Sequence, residues 1–274
     1  MKNIKIAICQ NRPSRDKSES IEKIKLMIEE SAANGAELVV LPEIFYHPYE
    51  LRAIPKLEES NNETLNILAG IAASNKIHLC TGSLVEKVGD KRFNRSYLIS
   101  PEGKVLLEYS KSHLYDVNFE EFRTRESRVF DYGETLDVVE TSLGKIGILI
   151  CYDIRFPEMA SHLAAQGAEI IIVPAAFNLI AGKAHWDIMF RCRAIETQAY
   201  LLAASPARDM SALYQVYGHS MVIDPWGRVL SEAGIDEEII YSSLDSKVLV
   251  DTRNKLPLLK HRRPELYRKF NKDN

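Results

Sequence analysis

Three residues remote from one another each stand at the end of an apolar run, and their types make a reaction set. Cys151 closes Ile146-Gly147-Ile148-Leu149-Ile150 and is followed at once by Tyr152-Asp153-Ile154-Arg155. Glu43 follows Leu38-Val39-Val40-Leu41-Pro42, and Lys111 follows Val105-Leu106-Leu107-Glu108-Tyr109-Ser110. A thiol where a buried strand gives way to a helix meets substrate beside unpaired backbone N–H groups, which favour negative charge. A carboxylate just past a buried strand is a candidate general base, because burial raises its pKa towards neutrality. An ammonium beside the thiol favours thiolate and binds a developing oxyanion. Each also has a plain structural reading: a small core hydrophobe, a solvated edge or helix cap, a surface charge. Glu126, within Arg123-Thr124-Arg125-Glu126-Ser127, reads as an ion-pair partner of the adjacent arginines.

The elements that position this set repeat. Residues 32–42, Ala-Ala-Asn-Gly-Ala-Glu-Leu-Val-Val-Leu-Pro, match residues 164–174, Ala-Ala-Gln-Gly-Ala-Glu-Ile-Ile-Ile-Val-Pro. Each is a helix end, a glycine cap, a buried strand and a proline stop. Residues 96–106 and 220–230 both read strand, Pro-x-Gly turn, strand, so the two halves match in order. Strands rich in Val, Ile and Leu without strict alternation belong to sheets covered on both faces. The pattern places helices near 17–33, 62–74, 156–166 and 182–197, the first with Asp16 and Glu19 as a capping box. Two such halves pack sheet on sheet with helices outside, an α/β fold in four α-β-β-α layers with a pseudo-twofold repeat. No linker divides residues 1–274, which read as one domain. The repeat also bears on chemistry. The counterparts of Glu43 and Lys111 are Ala175 and Ile235, so the charges occur in one copy only, as expected of residues added for a task.

Composition excludes several functions. A net charge of -3, with 35 basic and 38 acidic residues, gives no case for nucleic acid or an anionic membrane as partner. No apolar stretch reaches membrane-spanning length, and the N-terminal run from Met1 to Gln10 is too interrupted for a signal peptide. Four scattered cysteines (Cys9, Cys80, Cys151, Cys192) without a CxxC pair suit a reducing, cytoplasmic setting. Cys9 and Cys80 read as core residues and Cys192 as structural. The seven histidines show no metal spacing, and there is no phosphate loop or dinucleotide fingerprint, so no cofactor is expected. His185-Trp186 and Gly218-His219-Ser220 read as sites of structural hydrogen bonds. The charged stretch 112–134 is too long for an inert loop and is expected to shape the site, while the basic tail 256–274 is expected to reach a partner subunit.

Over nearly its whole length the chain resembles the nitrilase (carbon–nitrogen hydrolase) superfamily. The resemblance rests on Leu41-Pro42-Glu43, Tyr109-Ser110-Lys111-Ser112-His113-Leu114 and Cys151-Tyr152-Asp153-Ile154-Arg155-Phe156-Pro157-Glu158, with Asp224-Pro225-Trp226-Gly227 and Arg262-Arg263-Pro264-Glu265-Leu266-Tyr267 further on. It implies the four-layer sandwich, a homodimer packed through its helices, and a Glu43–Lys111–Cys151 set acting on amides through a thioester. It implies a supporting role for Glu126 and an oxyanion contact from the Tyr152 backbone. Ala176-Phe177-Asn178, Ala184-His185-Trp186 and Ser205-Pro206-Ala207-Arg208-Asp209 are most similar to the omega-amidase branch, which acts on 2-oxoglutaramate and 2-oxosuccinamate. Tyr49, Arg155, Phe177, Asn178 and Lys183 are then the candidates for binding substrate, and a substrate carboxylate needs a cationic or N–H partner. Ile180-Ala181-Gly182-Lys183 departs from the hydroxyl-bearing run usual there. Arg155-Phe156-Pro157-Glu158 and Ala194-Ile195-Glu196-Thr197-Gln198 equally resemble the deaminated-glutathione amidase branch. An N-carbamoyl amidohydrolase, a nitrilase proper and a non-catalytic binding member of the fold are the remaining readings.

Overall fold

The computed structural model describes residues 1–120 and 123–270. One sheet holds β1 (Ile4–Gln10), β2 (Leu38–Val40), β3 (His78–Cys80), β4 (Leu84–Val88), β5 (Lys91–Ile99) and β6 (Val105–Ser110). A ribbon follows, of β7 (Asp116–Asn118) and β8 (Arg123–Arg125). The other sheet holds β9 (Val138–Thr141), β10 (Gly144–Ile148), β11 (Ile170–Pro174), β12 (Tyr200–Ala204), β13 (Met221–Ile223) and β14 (Val229–Glu232). A last strand, β15 (Glu238–Leu244), returns to pair with β1. Helices α1 (Lys17–Ala33), α2 (Ile54–Leu57) and α3 (Glu63–Asn75) belong to the first half, α4 (Pro157–Ala165) and α5 (Leu179–Thr197) to the second. The chain ends in α6 (Ser246–Lys255), α7 (Leu258–His261) and α8 (Pro264–Phe270).

The repeat read in the sequence is explicit in the pairing. In the first sheet β1, β2 and β3 run parallel, then β5 and β6 antiparallel. In the second, β10, β11 and β12 run parallel, then β13 and β14 antiparallel. Side chains alternate across each strand, and both faces are covered. Ile4, Ile6 and Ile8 of β1 join Ile148, Ile172 and Leu202 in the core between the sheets. Ala7 and Cys9, from the same strand, face the other way and pack with Ile24, Ile28 and Leu68 of α1 and α3. On the far side Leu163 of α4 and Phe190 of α5 cover the second sheet, which completes the α-β-β-α layering.

The expected helices start or stop within three residues of the predicted bounds. The capping box at α1 is half present. Asp16 accepts from the N–H groups of Ser18 and Glu19, but the Glu19 carboxylate takes the Ser14 hydroxyl instead of reaching back to Asp16. The expected hydrogen bond at His185-Trp186 joins the two histidine segments, with Trp186 Nε1 donating to His219 O at 2.7 Å. Cys9 and Cys80 are core residues, as expected, whereas Cys192 is exposed on α5 and lies 3.4 Å from a Glu196 oxygen. Part of the tail folds back on its own chain, Arg262 donating to Ser161 O at 3.2 Å, and the tail's residues 271–274 lie outside the described residues. No helix among the described residues is long and apolar enough to cross a membrane.

Candidate active site

Each of the three strand-end residues is fixed by its own local device. Glu43 follows Pro42, against which Gly82 packs so closely that a Cβ there would lie 1.9 Å from Pro42 O. Gly82 has a φ of +66°, so a side chain is disfavoured twice over. Lys111 is held as if in a strand, its N–H donating to Asn94 O and its carbonyl accepting from Gly133, both at 2.9 Å. Cys151 opens a 3-10 turn, Cys151–Arg155, before Pro157 starts α4. Its φ of +50° is left-handed, a conformation that costs a non-glycine residue about 1–3 kcal/mol and persists only where its surroundings impose it. Asp153 is the anchor. Its buried carboxylate accepts from Ile150 N (3.1 Å), His113 N (2.8 Å) and the Tyr109 hydroxyl (2.7 Å), tying the thiol's turn to the segment that carries Lys111.

The side chains converge on one buried cluster. Lys111 Nζ donates to Glu43 Oε1 at 2.9 Å and to Glu126 Oε1 at 2.8 Å, and all three residues are at most 1% exposed. Glu43 also accepts from Asn94 Nδ2 (2.8 Å) and from the Ala176 N–H (2.9 Å). Glu126 accepts in addition from Tyr115 N (2.8 Å) and the Tyr49 hydroxyl. The pairing of Glu126 with its neighbouring arginines is therefore corrected. Strand alternation along β8 sends Arg123 and Arg125 to solvent, and Thr124 and then Glu126 inwards. Ala176, just beyond the position that the repeat matches to Glu43, supplies a backbone donor to that carboxylate.

The electrostatics revise a second expectation. Burial pushes the Cys151 thiol well above its ordinary value and Glu43 adds to this; Lys111 opposes, and Glu126 adds again. The ammonium therefore does not make a resting thiolate, because burial, with Glu43, outweighs it. Burial lowers the Lys111 pKa, but Glu43 and Cys151 more than reverse this, so the side chain stays an ammonium. Burial, with the charge of Glu43, holds Glu126 well above the usual carboxylate range. The arrangement is a neutral thiol beside a proton acceptor and a locked cation, which calls for proton transfer in step with attack. Replacing Glu126 by Gln removes a group whose ionised form raises the thiol's pKa. The inflection of Cys151 alkylation against pH is expected to move to lower pH in E126Q. An unchanged inflection would remove Glu126 from the thiol's field.

The candidate binding residues fall into two kinds. Arg155 lies with its guanidinium 4.7 Å from the Phe177 ring centroid and 5.8 Å from that of Tyr152. It has a His185 nitrogen at 3.1 Å and no carboxylate partner among the described residues. Lys183 is exposed on α5. Asn178 is already engaged: Oδ1 accepts from Ala181 N at 2.7 Å as the α5 cap, and Nδ2 donates to the Tyr115 hydroxyl at 3.0 Å. Residues that the sequence reading missed also meet here. Tyr214 donates to Ala176 O at 2.7 Å and packs on Tyr49 with ring centroids 5.1 Å apart. Asn94 carried no sequence signal, since Lys91, Arg92, Arg95 and Ser96 beside it on β5 are polar too.

Comparison with known proteins gives the family. The model of the Carbon-nitrogen hydrolase family matches residues 5–254. Omega-amidase NIT2 of Danio rerio is 38% identical over 269 residues, 97% of each chain. Omega-amidase NIT2 of Homo sapiens is 36% identical, covering 97% of this chain and 98% of its own. Saccharomyces cerevisiae Nit3, a member of branch 10 of the nitrilase superfamily, superposes with a TM-score of 0.87 at 36% identity, over 96% of this chain and 97% of that one. An amidase from Nesterenkonia sp. AN1, whose active-site cysteine has undergone Michael addition of acrylamide, gives 0.82 at 26% identity over 97% and 99%.

Proposed function

This chain belongs to the carbon–nitrogen hydrolase family and is an amidase, and from that premise we propose that it hydrolyses the side-chain amide of a small carboxylate-bearing substrate, of the 2-oxoglutaramate or 2-oxosuccinamate type, through a thioester on Cys151. The observation that carries the reading is the buried cluster in which one ammonium, Lys111, joins two carboxylates beside the strained Cys151 turn. Glu43 takes the thiol proton as sulfur bonds to the amide carbon. Lys111 and the Tyr152 N–H face the oxyanion that forms. Glu43 passes the proton to nitrogen, the C–N bond breaks and ammonia leaves. Water then adds to the thioester, Glu43 taking its proton and Glu126 helping to orient the attack, and sulfur departs as the thiol. Two modest barriers replace one high one.

For the substrate, the support is the omega-amidase relatives together with Arg155. Its planar fork, stacked on Phe177 and free of protein carboxylates among the described residues, suits a substrate carboxylate. Lys183, exposed near the start of α5, is a second candidate cation, and Tyr49 joins the site through its bond to Glu126. A homodimer packed through α4 and α5 belongs to the same reading, supported by exposed Ile188 and Ile195 on α5. Ammonia release from 2-oxoglutaramate is expected to exceed that from deaminated glutathione and from N-carbamoyl compounds by at least about tenfold in kcat/KM. The reverse order would hand the site to another amidase branch and leave the thioester chemistry in place.

A further inference from the structure

The small cleft beside Glu43 does not hold a substrate as it stands. Its walls include Glu43, His47, Tyr49, Pro206 and Tyr214, and its volume is about 20 Å³, room for roughly one water. Tyr49 and Tyr214 also line a second, open basin of about 710 Å³. This basin is within the size range of small-molecule sites. Its rim is strongly basic, with Arg52, Arg123, Arg125 and Arg128 against a single lining carboxylate among the described residues, Glu50. Glu50 is already neutralised by Arg15 at 2.6 Å, with Arg52 at 3.5 Å. Arg123, Arg125 and Arg128 have no carboxylate partner among the described residues. Two come from β8, and the third from the turn that carries Glu126 inwards, so the element that supplies the buried glutamate also supplies the surface cations. On a chain of net charge -3 this concentration is local.

We propose that the basin is an outer carboxylate site, in which the arginines capture the anionic amide on its way past Tyr49 and Tyr214 to Cys151. The proposal rests on the amidase reading for its substrate and is separate from the inner contact at Arg155. Unpaired guanidinium groups offer forked donors that match a carboxylate, and a low-dielectric concave wall focuses their field. Such capture raises association rates for anions, and salt weakens it, since the screening length is about 8 Å at physiological ionic strength.

The test compares wild type with the triple variants R123Q/R125Q/R128Q and R123K/R125K/R128K. Calorimetry measures binding of glutarate, with neutral glutaramide and inorganic phosphate as controls, and kinetics compare 2-oxoglutaramate with butyramide across salt concentrations. Glutarate is expected to bind the glutamine variant at least about tenfold more weakly than wild type, and glutaramide to show no such difference. The ratio of kcat/KM for the anionic to the neutral amide is expected to fall about as much, and its salt dependence to flatten. The lysine variant, equal in charge, is expected to keep most of the salt dependence, which separates loss of charge from misfolding. Glutarate binding within twofold of wild type in the glutamine variant would overturn the proposal, as would phosphate binding more tightly than glutarate. If no amide is turned over by wild type while glutarate binding still depends on the arginines, the substrate reading fails and the basin stands.

Discussion

C151A is expected to lower kcat for amide hydrolysis by at least about four orders of magnitude, with the melting temperature close to that of the parent. Removing a nucleophile from a set that acts as a unit costs nearly the whole covalent contribution. The fold should tolerate the change because alanine is smaller than the thiol and the Asp153 hydrogen bonds hold the turn through backbone and neighbouring side chains, not through sulfur. The other cysteines do not substitute. Burial pushes Cys9 up to about 12 and Cys80 up to about 11, and the side-chain partner of each is a serine hydroxyl. Cys192 is exposed beside Glu196, remote from the cluster in its bonding. Acidity does not single out Cys151, since its own pKa is raised as well; the adjacent acceptor and cation do. Mass spectrometry of the acid-quenched enzyme should show an acyl adduct on Cys151 in wild type and none in C151A. Ammonia release by C151A within tenfold of wild type would mean that water attacks the amide directly and the thioester route is wrong.

What could be read from the chain divides along a physical line. The layers were legible because burial on both faces leaves Val- and Ile-rich runs punctuated by Gly and Pro, and because the second half repeats the first. Glu43, Lys111 and Cys151 stood out as candidates because a charged or nucleophilic residue directly after such a run is anomalous. Asn94 and Glu43 are 51 residues apart, and only the tertiary fold brings them together. Asp153 looked like one more residue of the Cys151 segment; its place as the anchor depends on Tyr109 and His113 arriving from another strand. Glu126 was misread for a different reason. Its sequence neighbours are arginines, and proximity along the chain outweighed the period-two alternation that sends them outwards and Glu126 inwards. The Arg basin was invisible for the complementary reason, since surface arginines carry no sign of the concavity they will line.

K111M is expected to have two separable effects. Loss of a donor aimed at the oxyanion typically costs about two to three orders of magnitude in kcat, with KM little changed because the contact strengthens only in the transition state. Loss of the cation also leaves Glu43 and Glu126 buried without their common partner, and breaking a buried pair in this way typically costs about 3–5 kcal/mol of stability. Methionine fills most of the lysine volume, so the loss is chiefly electrostatic. The double variant K111M/E126Q separates the two. It replaces one of the two stranded acids by a neutral amide, so part of the lost melting temperature should return, while kcat should stay as low as in K111M because the oxyanion still lacks its ammonium. A cycle of the four proteins then gives a coupling energy in stability that has no counterpart in kcat. Were kcat to recover together with the melting temperature, Lys111 would be only a counter-ion for the two glutamates, and the oxyanion would have to be held by backbone N–H groups alone.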